Sequence, residues 1–210
     1  MLNSLYHHFS TLDSTNTLAV AMAEQGAEHG TVIHADRQTC GRGRGDRTFL
    51  SPIGGLYFSL ILRPDIEFSV LSLTTLAAGV GLCRGIKKAT GGQAQLKWPN
   101  DLYVKEKKIA GMLIESGPVR KGDQVDFIVL GVGINVTTQS KHFPAELRTK
   151  ITTLAKVVGK EFNPADLLPT LIQELVAAIM LGLNRENRAD LLAEWRNLDY
   201  LRGRSLQYIC

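Results

Sequence analysis

Residues 125–136, VDFIVLGVGINV, form the segment that most restricts the possible folds of this chain. They are apolar and β-branched almost throughout, which is typical of a strand in the middle of a sheet. A second largely apolar run at residues 55–63, GLYFSLILR, predicts another central strand. We therefore expect a fold built around a sheet that holds these two strands in its interior.

Shorter strand-like runs and four helical patterns surround these central strands. Further strands are predicted at residues 6–12, 31–36, 95–98, 107–115 and 205–209. Helices are predicted from a cap at Asp13 or Ser14 to residue 25, and at residues 68–89, 164–183 and 189–198. Because strands and helices do not alternate regularly, an α+β fold is favoured, with a mixed or mostly antiparallel sheet and helices packed on one face. Gly79 and Gly81 predict close packing of the second helix against that sheet.

The overall charge and the cysteines limit the classes of function. The 210 residues carry a net charge of +4, which suits anionic small molecules but is low for a dedicated nucleic-acid binder. Three scattered cysteines without a CxxC spacing indicate a reducing cytoplasm. No signal peptide and no apolar run of membrane-spanning length is apparent, so we expect a cytoplasmic protein without a membrane partner.

The loop at residues 38–47, QTCGRGRGDR, is rich in arginine and glycine. Glycines allow tight turns and close approach to a ligand, and arginine guanidinium groups donate to carboxylates or phosphates. Two interpretations are equally favoured by this loop alone. It either covers a small anion or is a solvated basic loop that contacts nucleic acid.

Polar residues interrupt the apolar pattern at three more places. Residues 13–16, DSTN, stand at a helix start, where four small polar residues exceed what one cap needs. Lys108 opens an apolar strand, so its ammonium group either reaches solvent or faces an anion. Residues 99–101 have turn composition and predict a hairpin connection. The strand glycines at 131 and 133 predict that another group comes close to the backbone there. Asn135, at the end of the same strand, is typical of a turn.

Taken together and in this order, these segments resemble the catalytic domain of biotin protein ligases. The matching motifs are DSTN (13–16), QTCGRGRGDR (38–47), SPIGGLYFS (51–59), KWPNDLYV (97–104), KKIAGMLIE (107–115) and GVGINV (131–136). The resemblance covers roughly residues 4–200 and implies a class II synthetase-like fold. It implies a catalytic domain at residues 1–200, followed at 201–210 by the start of a truncated or absent SH3-like domain. No DNA-binding domain precedes residue 6, so repressor activity is not expected.

The resemblance implies two half-reactions. The biotin carboxylate attacks the α-phosphate of ATP, with Mg²⁺ on the phosphates, and yields biotinoyl-5′-adenylate and pyrophosphate. A lysine of a biotin carboxyl carrier protein, such as that of acetyl-CoA carboxylase, then takes the biotinoyl group and AMP leaves. A homodimer is plausible by analogy.

The same resemblance implies a role for individual residues. The predicted catalytic residues are Lys108, Arg42 and Arg44. The predicted biotin-binding residues are Ser14, Thr15, Asn16, Gln38, Arg42, Gly43, Arg44, Trp98, Lys108 and Gly111. The predicted ATP- or adenylate-binding residues are Arg44, Arg47, Asn100, Lys108 and Asn135. Asp101 is a candidate to hold the metal or the incoming lysine, with a turn role equally favoured.

The chain departs from the family pattern in its loop. In the family pattern, three positions of the loop usually hold an arginine, a glycine and an aromatic residue that is often tryptophan. Here these positions hold Gly45, Asp46 and Phe49. Asp46 lowers the charge of a loop that is expected to hold phosphate. Three alternatives stay open: a lipoate or octanoate ligase or transferase of the same fold, a catalytically weak biotin-binding protein, and a basic nucleic-acid-binding module.

Overall fold

The computed structural model describes residues 5–205, which form one mixed seven-stranded sheet. The sheet order is β1-β2-β3-β7-β6-β5-β4, and β1 pairs with β2 in parallel while the other neighbours are antiparallel. The strands are β1 (Tyr6–Phe9), β2 (Val32–Ala35), β3 (Gly55–Leu62), β4 (Gln95–Lys97), β5 (Asp101–Val104), β6 (Lys107–Ser116) and β7 (Ile128–Asn135). Every residue of β3 and β7 is buried, which confirms the two predicted central strands.

Six α-helices accompany the sheet within residues 5–205. They are α1 (Thr15–Glu24), α2 (Leu71–Thr90), α3 (Ala145–Arg148), α4 (Leu154–Val158), α5 (Pro164–Leu183) and α6 (Arg188–Leu198). The four predicted helices are therefore present, with α2 ending at the left-handed Gly91 (φ 75°). The short α3, α4 and β5 were not predicted, because few residues give little periodicity to detect. The predicted strand at 205–209 lies, beyond Ser205, outside the described residues.

Helices cover both faces of the sheet, so the prediction of helices on one face was wrong in that detail. On one face, α2 and α5 pack on Leu56, Phe58 and Leu60 of β3. On the other face, α1 packs its alanines on Ile33, Ile61 and Val129. Side chains alternate along a strand, and β3 and β7 carry apolar residues in both sets, so each face needs its own cover. The α+β class and the mostly antiparallel sheet are confirmed.

The two glycines inside α2 have different neighbours. A side chain at Gly79 would come within 2.9 Å of Leu96 in β4, which confirms close packing against the sheet. A side chain at Gly81 would come within 2.7 Å of the Glu174 carbonyl oxygen in α5. Gly81 therefore packs α2 on α5 and not on the sheet, contrary to the prediction.

Two helical segments, Phe68–Thr90 and Pro164–Leu183, are long and apolar enough to span a membrane by length and composition. By length and composition, these two segments correct the expectation that the chain has no apolar run of membrane-spanning length. Both α2 and α5 contribute side chains to the large core cluster, for example Leu82 and Leu171. That packing accounts for their apolar composition within this domain.

Candidate active site

A cleft opens on the α1 face of the sheet, where β6 and β7 lie side by side. Gly111 of β6 is paired with Gly133 of β7, and Gly131 lies on the same face. A side chain at Gly131 would overlap the Asn16 amide, and one at Gly133 would come within 2.5 Å of the Phe49 ring. These three glycines, the glycine floor, therefore let other groups lie directly on the strands, as the strand glycines predicted.

The first turn of α1 forms one polar wall of the cleft. Ser14 Oγ accepts from the Thr17 amide at 3.4 Å, so Ser14 and not Asp13 is the N-cap. The amide and the hydroxyl of Thr15 both donate to Gln38 Oε1, at 2.8 and 3.1 Å. Gln38 Nε2 in turn donates to Ser51 Oγ at 2.7 Å. These bonds fix the orientation of the Gln38 amide in the cleft.

A second set of contacts links α1 to Arg42 in the loop. Ser59 Oγ lies 2.8 Å from Thr15 Oγ1 and 2.6 Å from Asn16 Oδ1. Asn16 Nδ2 donates to Glu115 Oε2 at 2.8 Å. The Arg42 guanidinium binds both oxygens of Glu115, at 3.0 and 2.9 Å. Because such bidentate pairs fix the guanidinium plane, Glu115 anchors the first arginine of the loop to β6.

The loop itself folds back as a short hairpin beside the cleft. The Gly43 amide donates to the Arg47 carbonyl at 2.7 Å, and the Phe49 amide donates to the Gly41 carbonyl at 2.9 Å. Gly45 lies between them with a φ of 63°, a left-handed conformation that favours glycine. The hairpin thus delivers Phe49 onto the glycine floor.

Arg44 and Arg47 both line the cleft. Within residues 5–205, neither of them forms an ion pair. Asp46 is exposed and is not among the residues that line the cleft. The two arginines therefore offer their charge to a ligand.

The Lys108 side chain lines the cleft and is only partly exposed to solvent. Its Nζ lies 2.6 Å from Asp101 Oδ1, and each side chain keeps just over a quarter of its surface exposed. The same ammonium lies 5.5 Å from the centre of the Phe49 ring. This position agrees with the interpretation that Lys108 faces an anion. Asp101 forms this ion pair with Lys108. It is also the first residue of β5 and directly follows the turn between β4 and β5.

Phe49 occupies much of the cleft floor. Its ring would lie 3.2 Å from a side chain at Gly111, and it meets the Tyr57 ring edge-on at 6.3 Å between centres. The cleft retains about 120 Å³ of free space. Small-molecule sites usually hold at least ~300 Å³. A ligand of ordinary size therefore requires Phe49 or the loop to move.

Three predicted site residues need separate comment. Trp98 and Asn135 do not line the main cleft, and the Asn100 side chain already has a hydrogen-bond partner within the protein. Trp98 is 60% exposed and lines an adjoining cavity together with Arg44 and Asn100, so it does not wall the main cleft as predicted. Trp98 lies in the turn between β4 and β5, and the Trp98–Pro99 peptide is cis. Asn100 lines both cavities and donates from Nδ2 to the Met112 carbonyl at 2.6 Å.

Asn135 does not line the cleft either. It lies at the end of β7, on the same face as the glycine floor, and is 4% exposed. Its Oδ1 has no hydrogen-bond partner among residues 5–205. A buried acceptor without a donor is unfavourable, so this amide is a candidate to receive a hydrogen bond from a ligand after local movement.

The residues that line the cleft are positive. They include four cations, Arg42, Arg44, Arg47 and Lys108, against the carboxylate of Asp101. Glu115 compensates Arg42 and Asp101 compensates Lys108, so the uncompensated charge is that of Arg44 and Arg47. Apolar lining comes from Leu113, which shares the face of Gly131, and from the Phe49 ring. A cleft with this charge favours a ligand that carries more than one negative charge and has an apolar part.

Four residues of the site were not predicted to have a functional role: Ser51, Ser59, Glu115 and Phe49. Ser59 and Glu115 each interrupt an otherwise apolar strand, which is a signal that the sequence contained. Ser51 gave no such signal. Their partners are distant in sequence, since Asn16 and Glu115 are 99 residues apart.

Comparison with known proteins gives consistent results. Residues 9–135 match the model of the Biotin/lipoate A/B protein ligase family. The chain is 38% identical over 169 residues to the bifunctional ligase/repressor BirA of Bacillus subtilis, covering 80% of this chain and 51% of that protein. It is 30% identical over 189 residues to the biotin–[acetyl-CoA-carboxylase] ligase of Mycobacterium tuberculosis, covering 87% and 66%. The chain thus spans about half to two thirds of the length of these relatives.

Solved structures resemble the whole described domain. The biotin protein ligase from Aquifex aeolicus in complex with biotin and ATP superposes with a TM-score of 0.81 at 30% identity, covering 94% of this chain and 79% of that one. The biotin protein ligase from Leishmania major in complex with biotinyl-5-AMP superposes with a TM-score of 0.78 at 21% identity, covering 98% and 85%. The second likeness is one of fold.

Proposed function

The chain belongs to the biotin/lipoate A/B protein ligase family, and from this we propose that it activates biotin with ATP and transfers it to a carrier lysine. One observation carries the proposal. Four cations and the polar groups of Ser14, Thr15 and Gln38 converge on a single cleft. That combination suits the meeting of a carboxylate, a triphosphate and a neutral polar ring.

In the first half-reaction, a biotin carboxylate oxygen attacks the α-phosphorus of ATP, and the bond to the β-phosphate oxygen breaks. Two anions must approach each other, and fixed cations lower the electrostatic cost of that approach. Lys108 is placed for this role because its Nζ faces the cleft. Arg44 and Arg47 supply further positive charge for the phosphates.

The biotin ring would occupy the polar wall. Its ureido group offers both donors and acceptors, and Ser14, Thr15 and Gln38 provide hydroxyl and amide groups of both kinds. Leu113, which is paired with Gly131 on the cleft face, would supply apolar contact for the thiophane ring and the valeryl chain. We therefore propose an apolar wall at Leu113 of β6 in place of Trp98.

The nucleotide would occupy the side of Arg44, Arg47 and Asn100. The residues fit such a group, because the two arginines have no ion-pair partner among residues 5–205. Mg²⁺ bound to the phosphates would neutralise part of their charge. Among the residues that line the cleft, Asp101 carries the carboxylate that would hold this ion, once its pair with Lys108 at 2.6 Å has separated.

The second half-reaction transfers the biotinoyl group to a carrier. The lysine amine attacks the biotinoyl carbonyl, the carbonyl–oxygen bond to phosphate breaks, and AMP leaves. The M. tuberculosis relative is named for acetyl-CoA carboxylase, so we propose a biotin carboxyl carrier protein of that kind. We further propose a cytoplasmic location without DNA or membrane partners, based on charge and cysteine usage, and a homodimer by analogy.

Biotin-dependent exchange of labelled pyrophosphate into ATP tests the first half-reaction. We expect exchange only when biotin, ATP and Mg²⁺ are all present. Transfer of labelled biotin to a carrier fragment then tests the second half-reaction, with a carrier in which the acceptor lysine is replaced by arginine as control. Absence of exchange in folded protein at saturating biotin would overturn the proposal.

The family name also covers lipoate ligases, so lipoate or octanoate is the second candidate substrate. The relatives reported above are named for biotin. Competition separates the two, because biotin should suppress binding of a labelled biotin analogue while lipoate at the same concentration should not. Suppression by lipoate alone would favour the alternative.

A further inference from the structure

Three side chains of types that can bind a metal ion lie close together at the edge of the sheet, away from the cleft. His8 of β1 and His34 of β2 are paired in the parallel ladder, and Asp36 follows two residues after His34. One ligand atom from each residue lies within 4.8 Å of the other two. Asp36 Oδ1 lies 2.9 Å from His8 Nε2 and 4.0 Å from His34 Nε2.

This cluster lies on the opposite face of the sheet from the cleft. His34 is paired with Phe58, whose side chain belongs to the core under α2 and α5. The glycine floor and Arg42 lie on the α1 face. The cluster therefore has no contact with the groups proposed to bind biotin or ATP, and its role is independent of that reaction.

A phenol holds the inner histidine in place. The Tyr6 hydroxyl lies 2.7 Å from His34 Nδ1. When Nδ1–H donates to the phenol oxygen, the lone pair of Nε2 is directed toward the side of Asp36. A hydrogen bond of this type, from the non-coordinating nitrogen, is common behind metal-bound imidazoles.

We propose that His8, His34 and Asp36 bind a divalent transition metal, with Zn²⁺ as the preferred class. Two imidazoles and one carboxylate are a common donor set for Zn²⁺ with one position left for water. Bonds of about 2.0–2.2 Å place tetrahedral donors a little over ~3 Å apart. The observed separations of 2.9 and 4.0 Å therefore require small shifts.

The two outer ligands have the freedom to make those shifts. The side chains of His8 and Asp36 are 45% and 46% exposed, whereas that of His34 is 2% exposed. His34 thus acts as the fixed ligand, and the other two close on the metal. Metal binding replaces the direct His8–Asp36 contact and ties the short edge strand β1 to β2.

Titration of tag-free, chelator-treated protein with Zn²⁺ in a calorimeter tests the proposal, without biotin or ATP. We expect one Zn²⁺ per chain, and binding about tenfold weaker or more in His8→Gln and in His34→Gln. Tyr6→Phe removes only the supporting hydrogen bond and should weaken binding by about 10-fold. At a free Zn²⁺ concentration about 100 times Kd, the wild-type Tm should rise by roughly 5 °C.

His7→Gln is the matched control, because His7 is the neighbour on β1 whose side chain alternates to the other face. It should bind Zn²⁺ as the wild type does. Replacing Zn²⁺ by Co²⁺ gives a second readout, since coordinated Co²⁺ absorbs visible light. Equal affinity in wild type and His8→Gln, or an equal loss in His7→Gln, would overturn the proposal. His8 is exposed, so its variant keeps the test valid if His34→Gln does not fold.

Discussion

The two faces of the central sheet are built by the same strands but from opposite kinds of residue. On the α2–α5 face, β7 presents Ile128, Leu130, Val132 and Ile134, and this face forms the large apolar core. On the α1 face, the same strand presents Val129, Gly131, Gly133 and Asn135. Apolar packing therefore ends at Val129 on this second face, and the glycine floor of the cleft begins two residues later.

This difference separates stability from binding along a single strand. Large side chains on the core face exclude water and interlock with α2 and α5, which stabilises the fold. On the cleft face, small residues leave room for Asn16, Phe49 and a ligand. Neighbouring residues of β7 should consequently respond to mutation in different assays.

The largest effect on stability is expected on the core face. Leu130→Ala removes a fully buried side chain and leaves a cavity, so the free energy of unfolding should fall by about 2–5 kcal/mol. Urea denaturation followed by circular dichroism measures it. The folded fraction should retain wild-type affinity for biotin, and a selective loss of biotin binding without a loss of stability would contradict the separation of the two faces.

The largest effect on catalysis is expected at Lys108. Lys108→Ala removes a cation aimed at the cleft and should slow pyrophosphate release by roughly 10²–10³-fold, the usual cost of one such group. Its Tm should change little, because its pair with Asp101 is partly exposed. Lys107→Ala, at the exposed neighbouring position, is the control and should release pyrophosphate at the wild-type rate. Equal rates in the two variants would rule out this role for Lys108.

An intermediate effect is expected at the glycine floor. In Gly131→Ala the new methyl group overlaps the Asn16 amide, so Asn16 must shift and its bond to Glu115 is strained. Overpacking of this kind costs about 1–3 kcal/mol, and biotin affinity should fall as well. Calorimetric titration with biotin measures the second effect. In an Asn16→Ala background, which lacks the overlapping amide, adding Gly131→Ala should cost much less stability than it does in the wild type. An equal cost in both backgrounds would refute the steric explanation.

The smallest effect is expected at Glu115. Glu115→Gln keeps an acceptor for Asn16 but removes the charge that holds Arg42, and this pair is half exposed on the arginine side. The free energy of unfolding should therefore change by no more than about 1 kcal/mol, while biotin affinity should fall several-fold because the loop loses its anchor. Glu106→Gln, which disrupts an exposed pair with Arg204, is the control. An equal response of both variants would mean that Glu115 has no special role at the loop.

Much of the site could be predicted because its residues interrupt strong local patterns. The helix start at Ser14, the arginine–glycine loop and Lys108 all lie in one cleft, as their motifs indicated. The α+β class was equally evident from β3 and β7. The contacts of Ser59 and Glu115 were not predictable, because each pairs with residues more than 40 positions away. Trp98 was placed wrongly since a motif does not state which way a turn residue points.

The sequence by itself determined the family, the central strands, the long helices and most of the charged groups, because each leaves a signal within a few neighbouring residues. Only the tertiary structure decided which face each group serves. It placed α1 opposite α2 and α5, set Phe49 on the glycine floor, tied Arg42 to Glu115 and brought His8, His34 and Asp36 together. Strand register and side-chain alternation control these positions, and both depend on pairings between distant segments.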